Sequence, residues 1–399
     1  MEFKRYKLND LSIDGGSYGI GASAVEYNKE LYTYLRITDI NEDGTLNYKD
    51  MMSVDDPKAN QYVLKKNDIC FARTGNSTGK SYFYDGSIKN LVYAGFLIKF
   101  SIDEDKVNPK YIKYYTMTSE YKNWVKEIQT GSTRGNINAK MYGNLDILIP
   151  ERAYQDKLVA VLDKITDKIK YNTQTNDNLS EQLKQIFNNN FFDRIQNNDC
   201  QDFKECILYD VLDIIDNRGK TPKLVEFSEY PIIDVRAISG ENRIIDYKQC
   251  QKYVNEEVYN TFFRSGHPKI NDILISTVGS LAEMKIYMEN KGTIAQNVVA
   301  LRCKEDYPMY IYQYLKAIKN DLISYNIGSV QPSIKVTQFM KHSIYIPKEE
   351  ELYEFEKIAK IYTYKMFNIS KENETLEQLR DTLLPKLMNG EIDLDKIEI

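Results

Sequence analysis

The sequence predicts an α+β fold in which two similar mixed α/β domains are separated by two long helices, which pair as an antiparallel coiled coil with pseudo-twofold symmetry. Two observations predict this fold. The stretch GSTRGNINAKMYGNLDILIP, which ends at Pro150, returns as GSVQPSIKVTQFMKHSIYIP, which ends at Pro347. Each copy is followed by a long polar segment with apolar residues at coiled-coil spacing. A repeat half a chain apart indicates that one structural unit is present twice.

Other segments repeat with the same order. KKNDICFARTG (65–75) matches PKINDILISTVG (268–279), and the strand-like runs YLRITDI and IIDVRAI each carry one arginine, Arg36 or Arg236. These matches place the domain boundaries. The predicted segments are a first domain at 1–150, a first spacer helix at 151–195, a second domain at 196–347, and a second spacer helix with the tail at 348–399.

The domains themselves are predicted to mix strands and helices. Short apolar runs bounded by Gly, Asn and Pro are typical of strands. Residues 108–128, NPKYIKYYTMTSEYKNWVKEI, predict one helix with an aromatic stripe at helical spacing, and YPMYIYQYLKAIKNDLISYN is its counterpart in the second half. Such stripes more often belong to a core than to a stacking surface.

The spacer helices carry the clearest periodicity. A four-three alternation of apolar positions predicts a coiled-coil seam in each helix. The first seam consists of Leu158, Leu162, Ile165, Ile169, Asn172, Asn176, Leu179, Leu183 and Ile186. The second consists of Phe355, Ala359, Tyr362, Met366, Ile369, Asn373, Leu376, Arg380 and Leu383. Asn176 and Asn373 occupy the same register, where buried asparagines fix helix alignment and exposed ones do not.

Composition excludes several classes of protein. The chain has 399 residues, 42% of them hydrophobic, which suffices for more than one core. Its five cysteines form no CxxC pair, which fits a reducing compartment and no zinc site. The first residues, MEFKRYKLND, lack the apolar core of a signal peptide, and no apolar run is long enough to span a membrane. We therefore expect a cytoplasmic protein without a membrane segment.

The order of domain, helix, domain and helix resembles that of the specificity subunits of type I restriction–modification systems. LLPKLMNGEID (383–393) is similar to their typical end, NRGKTP (217–222) to the opening of their recognition domains, and GSVQPSI to their late loop. The first half departs from this pattern, because it has DGGSYGIGASAVEY where the second has NRGKTP. That variant also occurs in the family, so the departure concerns sequence preference.

The resemblance implies a non-catalytic subunit with two target-recognition domains that read a bipartite sequence in double-stranded DNA. The paired helices would space these domains and bind two methyltransferase subunits, with two restriction subunits added in the full complex. The resemblance implies no catalytic residue, metal or cofactor in this chain. S-adenosylmethionine is expected on the adenine-methylating partners.

Polar side chains in the loops after the strands are the candidate DNA contacts. Arg reads guanine, Asn and Gln read adenine, and Ser or Thr contacts phosphate or either base class. Arg134 opposite Gln331 is the kind of difference that two distinct half-sites require. The candidates are Arg36, Arg73, Asn76, Ser77, Lys80, Ser132, Thr133, Arg134, Asn136, Arg218, Lys220, Arg236, Thr277, Ser280, Ser329, Gln331, Ser333 and Lys335.

The charge of the chain is unusual for a DNA-binding protein. The net charge is −5, and the excess of acid lies in the last helix and tail, whereas the two domains are close to neutral. Nucleic-acid binders are usually basic. We therefore expect a modest intrinsic affinity for DNA and phosphate contacts supplied by the partner subunits.

Competing functions remain open on the residues alone. Asp272, Glu283 and Lys285 could hold Mg²⁺ for phosphodiester cleavage, which is the leading alternative. TGNSTGKS approaches a phosphate-binding loop but has Thr74 where the pattern needs glycine. An internal methyltransferase is disfavoured because the Asn/Asp-Pro-Pro-aromatic motif is missing. A purely structural coiled-coil adaptor explains the helices but leaves two duplicated domains unexplained.

Overall fold

The computed structural model of the chain describes residues 2–48, 50–130, 135–328 and 331–394. It forms two compact units: unit 1 comprises residues 1–168 and 376–399, and unit 2 comprises residues 169–375. Each unit holds one globular domain and a segment of both long helices. The division between the compact units falls within the two long helices, because each helix segment packs into the core of its neighbouring domain.

The described part of unit 1 forms three sheets. Its strands are β1 (Lys4–Lys7), β2 (Ser17–Tyr18), β3 (Tyr32–Leu35), β4 (Met52–Val54), β5 (Asp68–Ala72), β6 (Ser81–Phe83), β7 (Leu91–Tyr93), β8 (Leu97–Ser101) and β9 (Asp146–Ile149). The sheets have the orders β1-β9, β2-β8-β5-β6 and β4-β3-β7. Neighbouring strands are antiparallel except β3 and β7, which are parallel.

The described part of unit 2 repeats this topology. Its strands are β10 (Lys204–Ile207), β11 (Leu212–Ile215), β12 (Tyr230–Ile233), β13 (Tyr253–Val254), β14 (Ile273–Ser276), β15 (Met284–Ile286), β16 (Thr293–Ile294), β17 (Val298–Cys303) and β18 (Ser343–Ile346). The orders are β10-β18, β11-β17-β14-β15 and β13-β12-β16, and β12 and β16 are again the parallel pair. The predicted duplication is thus confirmed strand by strand.

The helices follow the same order in both units. Unit 1 contributes α1 (Pro109–Tyr115), α2 (Ser119–Thr130) and α3 (Ala139–Gly143). The first long helix, α4, covers Arg152–Phe187, and a π-helical turn at Asn188–Phe192 leads into α5 (Asp193–Gln196). Unit 2 contributes α6 (Leu208–Val211), α7 (Val235–Ile238), α8 (Glu256–Phe262), α9 (Pro308–Ala317), α10 (Lys319–Ser324) and α11 (Val336–Phe339). The second long helix, α12, covers Glu349–Met388.

The aromatic helix predicted at residues 108–128 is in fact two helices. The Thr116 hydroxyl donates to the Lys113 carbonyl at 2.7 Å, and the Thr118 hydroxyl donates to the Tyr115 carbonyl at 2.7 Å. Threonine hydroxyls compete in this way with helical hydrogen bonding, so α1 ends here and α2 begins. The prediction that the aromatic stripe belongs to the core is confirmed, since Tyr111, Tyr114, Tyr115 and Tyr121 are buried.

In unit 1 the start of α4 packs against the end of α12. The Tyr154 hydroxyl donates to the Leu387 carbonyl at 2.8 Å, and Leu158 and Leu162 share a core with Leu384. A start beside an end means that the segments are antiparallel, as predicted. The seam differs at one place: Leu384 is buried where the heptad pattern predicted Leu383, because this last part of α12 packs into the domain core and no longer only against α4.

In unit 2 the end of α4 packs against the first part of α12, again antiparallel. The rings of Phe187 and Phe355 lie 5.8 Å apart, and Leu179 and Leu183 are buried beside them. The remaining predicted pairing residues are half-buried on the two helices: Ile165, Ile169, Tyr362, Ile369, Leu376 and Leu383.

Buried asparagines do align the helices, but with different partners from those predicted. Asn172 donates from Nδ2 to Oδ1 of Asn373 at 2.8 Å. Asn176, which the sequence placed in register with Asn373, instead donates to the Met366 carbonyl at 3.3 Å and to the Ser370 hydroxyl at 3.2 Å. The sequence register counts along each helix, whereas antiparallel packing decides which residues meet.

Candidate nucleic-acid interface

The central strand of each four-stranded sheet begins at the same turn. Asn67 and Asn271 have φ values of 73° and 74°, in the left-handed region that asparagine tolerates. The carboxylates of Asp68 and Asp272 each accept a hydrogen bond from the backbone amide three residues earlier, at 2.8 and 2.7 Å. This turn fixes where β5 and β14 start, and thereby where the loops after them emerge.

The residues of the nuclease alternative have structural partners. Arg302 holds the buried carboxylate of Asp272 at 2.7 Å, and Lys319 holds that of Glu283 at 2.7 Å. Lys285 is buried within β15. Within the described ranges, no group of three or more His, Cys, Asp or Glu residues could hold a metal ion. The structure therefore does not support the nuclease alternative.

The segment TGNSTGKS is a hairpin loop, which contradicts the phosphate-binding alternative. A short 3₁₀ turn at Gly75–Ser77 follows β5, and the chain then enters strand β6. A phosphate-binding loop needs a helix N-terminus at this point, because that terminus supplies the amides and the dipole that bind the anion.

In unit 1 the loop after β5 and the loop that leads into α3, which carry predicted DNA contacts, lie side by side. The Ile137 amide donates to the Arg73 carbonyl at 3.0 Å. The Thr74 hydroxyl donates to Oδ1 of Asn136 at 2.6 Å. The loop after β5 and the loop before α3, which are far apart in the sequence, thus form one surface.

In unit 2 the corresponding loops are joined in the same way. The Ile334 amide donates to the Thr277 carbonyl at 2.8 Å, which is the equivalent of the bond between Ile137 and Arg73. The Gly279 amide also donates to the Pro332 carbonyl at 3.0 Å. Arg73 and Thr277 are therefore equivalent positions on the two scaffolds.

A hydrogen bond from α2 fixes the loop after β5. The Tyr121 hydroxyl of α2 donates to the Gly79 carbonyl at 2.7 Å, and Gly79 has a φ of 89°, which glycine adopts without strain. Lys80 pairs with Glu42 at 2.9 Å. A cavity of about 170 Å³ lies beside the loop, and burial lowers the pKa of Lys113, which lines it.

The unit 1 candidates differ in exposure. The Arg73 guanidinium lies 5.0 Å from the centre of the Tyr18 ring, and its Nε has no hydrogen-bond partner. Asn76 is exposed, whereas Ser77 is buried. Four candidates fall outside the described residues: Ser132, Thr133, Arg134 and Ser329.

Most candidates at the matching place in unit 2 are accessible. Ser280, Gln331 and Lys335 are exposed, and Ser333 is half-buried. Thr277 contradicts the prediction, because its side chain is fully buried between the joined loops. Its contribution is structural, through the backbone carbonyl that receives the late loop.

The loop NRGKTP (217–222) holds two further candidates of unit 2. Arg218 donates from Nε to Asp216 at 2.9 Å, and Lys220 is exposed. Nε2 of Gln296 donates to the Thr221 hydroxyl at 3.1 Å. The loop is therefore tied to the turn that precedes β17.

Arg36 and Arg236 each form an ion pair with a nearby aspartate just after β3 and β12, but at different positions of the two turns. Arg36 pairs with Asp39 at 2.6 Å, and Arg236 pairs with Asp234 at 2.7 Å. Hydrogen bonding to Asp39 raises the pKa of the Arg36 guanidinium. Both arginines would have to leave their carboxylates before they could bind a base or phosphate.

Sequence reasoning missed two residues of the long helices that position the domains. Oε1 of Gln155 in α4 accepts the Asn108 amide at 2.8 Å, where α1 begins. The Glu356 carboxylate in α12 accepts the Met309 and Tyr310 amides at 3.1 and 3.0 Å, where α9 begins. The repeat gave no signal for them, because Gln155 follows Pro150 by five residues and Glu356 follows Pro347 by nine.

The described helices include none that is both long enough and apolar enough to cross a bilayer.

Known proteins share this architecture. The family described as type I restriction modification DNA specificity domain matches residues 2–181 and 201–381. The HindI specificity subunit of Haemophilus influenzae is 23% identical over 472 residues, covering 98% of this chain and 100% of that protein. The MjaIX specificity subunit of Methanocaldococcus jannaschii is 22% identical over 316 residues, covering 74% of this chain and 72% of that protein.

A solved structure shows the same fold. The crystal structure of the S subunit of a type I restriction–modification system from M. genitalium has a TM-score of 0.57 and 16% identity, with 97% of this chain and 96% of that chain covered. The family match covers most of the sequence in two copies, one for each half. This chain therefore belongs to the family of type I restriction–modification DNA specificity proteins and carries two specificity domains.

Proposed function

We propose that the chain is the non-catalytic DNA-recognition subunit of a type I restriction–modification complex and reads a bipartite target with its two domains. One observation carries the proposal. The loops after β5 and β14 are joined to the late loops by the same backbone hydrogen bond, yet the side chains displayed there differ. A shared scaffold with different surface residues is what two unlike half-sites require.

The accessible loop residues are the base and phosphate contacts in this proposal. Arg73, Asn76 and Asn136 serve the first half-site, with Lys80 as a phosphate contact after release from Glu42. Arginine suits guanine, and asparagine suits adenine. In the second half-site the contacts are Arg218, Lys220, Ser280, Gln331, Ser333 and Lys335. Arg36 and Arg236 are assigned to positioning strand ends, because each is held by an aspartate.

The partner subunits supply much of the affinity. Near-neutral domains release few counterions from DNA, so the salt-dependent part of binding is small for this chain alone. We propose that two methyltransferase subunits, and restriction subunits in the full complex, contribute the missing phosphate contacts. S-adenosylmethionine binds to the methyltransferases, and this chain holds no cofactor. The complex works in the cytoplasm, where it meets DNA.

The outer face of α12 supports a docking role for the helices. Tyr353, Ile358, Ile361 and Tyr364 are 65%, 36%, 60% and 43% exposed, although the opposite face of the helix is buried. Large apolar side chains grouped on one exposed face mark interaction surfaces. We assign this face to a methyltransferase subunit.

The helices also set the spacing of the half-sites in this proposal. One added heptad in each helix returns the apolar positions to the same face and lengthens each helix by roughly 10 Å. The methylated motif should keep both half-sites and gain about three base pairs of spacer. An unchanged spacer in a folded insertion variant would remove the measuring role from the helices.

Mapping of methylated adenines tests the proposed function. Cells that carry the partner methyltransferase should methylate one bipartite motif with this chain and none without it. The purified chain alone should neither methylate nor cleave DNA with Mg²⁺. Cleavage by the lone chain that disappeared in Glu283→Ala would overturn the non-catalytic assignment.

A further inference from the structure

A third loop reaches the reading surface of each unit. In unit 1 it joins β7 to β8 at residues 94–96, and in unit 2 it joins β16 to β17 at residues 295–297. The Arg73 amide donates to the Phe96 carbonyl at 3.1 Å, and the Thr277 amide donates to the Asn297 carbonyl at 2.9 Å. Each third loop is therefore bonded directly to the loop after the central strand.

Further hydrogen bonds show that the two third loops are equivalent residue by residue. The Ala94 amide donates to the end of β3 at 3.0 Å, and the Ala295 amide donates to the end of β12 at 2.9 Å. Each alanine carbonyl then accepts the amide three residues later, at 2.8 and 3.1 Å. AGFL therefore superposes on AQNV, and Phe96 stands where unit 2 has Asn297.

Both side chains lack an evident role inside the fold. The Phe96 ring is 58% exposed, although the residues after it are buried in β8, and it adjoins Arg73, which lies over the Tyr18 ring. The Oδ1 atom of Asn297 is buried without a hydrogen-bond partner. An apolar ring in water and an unpaired amide oxygen both cost free energy in the unbound protein. Contact with a ligand removes both costs.

We propose that these loops are a third DNA-reading element, in which Phe96 contacts a thymine methyl group in one half-site and Asn297 hydrogen-bonds an adenine in the other. Phenylalanine makes apolar contact with the thymine C5-methyl in the major groove, and asparagine pairs with adenine N6 and N7. The Asn297 amide turns toward the base, because no partner fixes its oxygen. This inference rests on the proposed function and adds a specificity determinant to each domain.

Uracil in place of thymine tests the contact of Phe96, because uracil lacks only the methyl group. Duplexes carrying the methylated motif, with each thymine replaced in turn, are bound to the complex with its methyltransferase subunits. One replacement in the half-site read by unit 1 should weaken binding by about fivefold. Phe96→Ala should bind both duplexes equally, while Tyr27→Ala, which alters another exposed aromatic of unit 1, should still distinguish them.

The contact of Asn297 is tested by the methylated motif itself. Asn297→Ala should relax one adenine position of the other half-site, by about tenfold in methylation rate against the wrong base. Asn290→Ala, at an exposed position of the loop between β15 and β16, should leave the motif unchanged. In each variant the half-site read by the other unit serves as the control for folding and assembly.

The outcomes separate this inference from the proposed function. A half-site without any thymine, an equal response of Phe96→Ala and the wild type to uracil, or an unchanged motif in Asn297→Ala would overturn the inference. A bipartite motif that still depends on the chain would leave the proposed function standing. Absence of any such motif would overturn the proposed function.

Discussion

The two units use different groups at the same kind of junction. Gln155 is the fourth residue of α4 and accepts one backbone amide where α1 begins, whereas Glu356 is the eighth residue of α12 and accepts two backbone amides where α9 begins. One is neutral and the other is a carboxylate, and both are buried. The contact between a long helix and the start of a domain helix is thus made by a different group at a different position in each unit. On the surface, Arg73 and Thr277 do stand at equivalent positions, and they share backbone hydrogen bonds but not side chains.

The helix seam should support both units equally. Leu162 and Leu183 are fully buried, one in each unit. Leu162→Ala and Leu183→Ala should each lower the free energy of unfolding by about 2–5 kcal/mol, because each leaves a cavity. Hydrogen exchange should show the loss of protection in the unit that carries the substitution. Leu379→Ala, at a 45% exposed position, should have little effect. Equal loss in both units would mean that they do not fold as separate bodies.

The Asn-Asp turn before the central strand should contribute more to the free energy of unfolding in unit 2, before β14, than in unit 1, before β5. Asp272→Asn removes the buried negative charge that pairs with Arg302. This change should lower the free energy of unfolding by about 3 kcal/mol. Asp68→Asn should cost less, since Asp68 accepts from the Ser101 hydroxyl at 2.7 Å and lies 3.8 Å from Lys99. Thermal unfolding measures both. Asp213→Asn, at an exposed position, is the control. A larger loss for Asp68→Asn would contradict the assignment.

The buried carboxyl group of Glu356 predicts that the stability of unit 2 depends on pH. Burial raises the pKa of Glu356 to about 7, above its value in the unfolded chain. The folded state therefore holds this proton more tightly, and its stability falls as pH rises through about 7. Glu356→Gln places a neutral amide at this position, does not titrate, and should gain about 2 kcal/mol of unfolding free energy relative to wild type between pH 5 and pH 8. The unfolding free energies of the two proteins, measured across that pH range, check this prediction. A difference between them that stays constant with pH would contradict it.

The features that could be predicted from the sequence are those that repeat between the two halves or recur at a regular spacing. The heptads gave the pairing of Leu158, Leu162 and Leu183, and the Asn-Asp turn gave the starts of β5 and β14. The equivalence of the third loops could not be predicted from the sequence, because AGFL and AQNV share only one residue. Only tertiary hydrogen bonds align Phe96 with Asn297. The burial of Thr277 was hidden for a related reason: the late loop that covers it lies far away in the sequence.

Independent reading of two half-sites is the central claim, and single substitutions measured on the methylated motif test it most directly. Arg73→Ala should relax one half-site and Gln331→Ala the other, each by about 1–3 kcal/mol of discrimination. Arg5→Ala and Gln338→Ala, at exposed positions of β1 and α11, should leave the motif unchanged. Sequencing of methylated adenines in cells with each variant gives the result. Relaxation of both half-sites by either substitution, or of neither by both, would contradict the account.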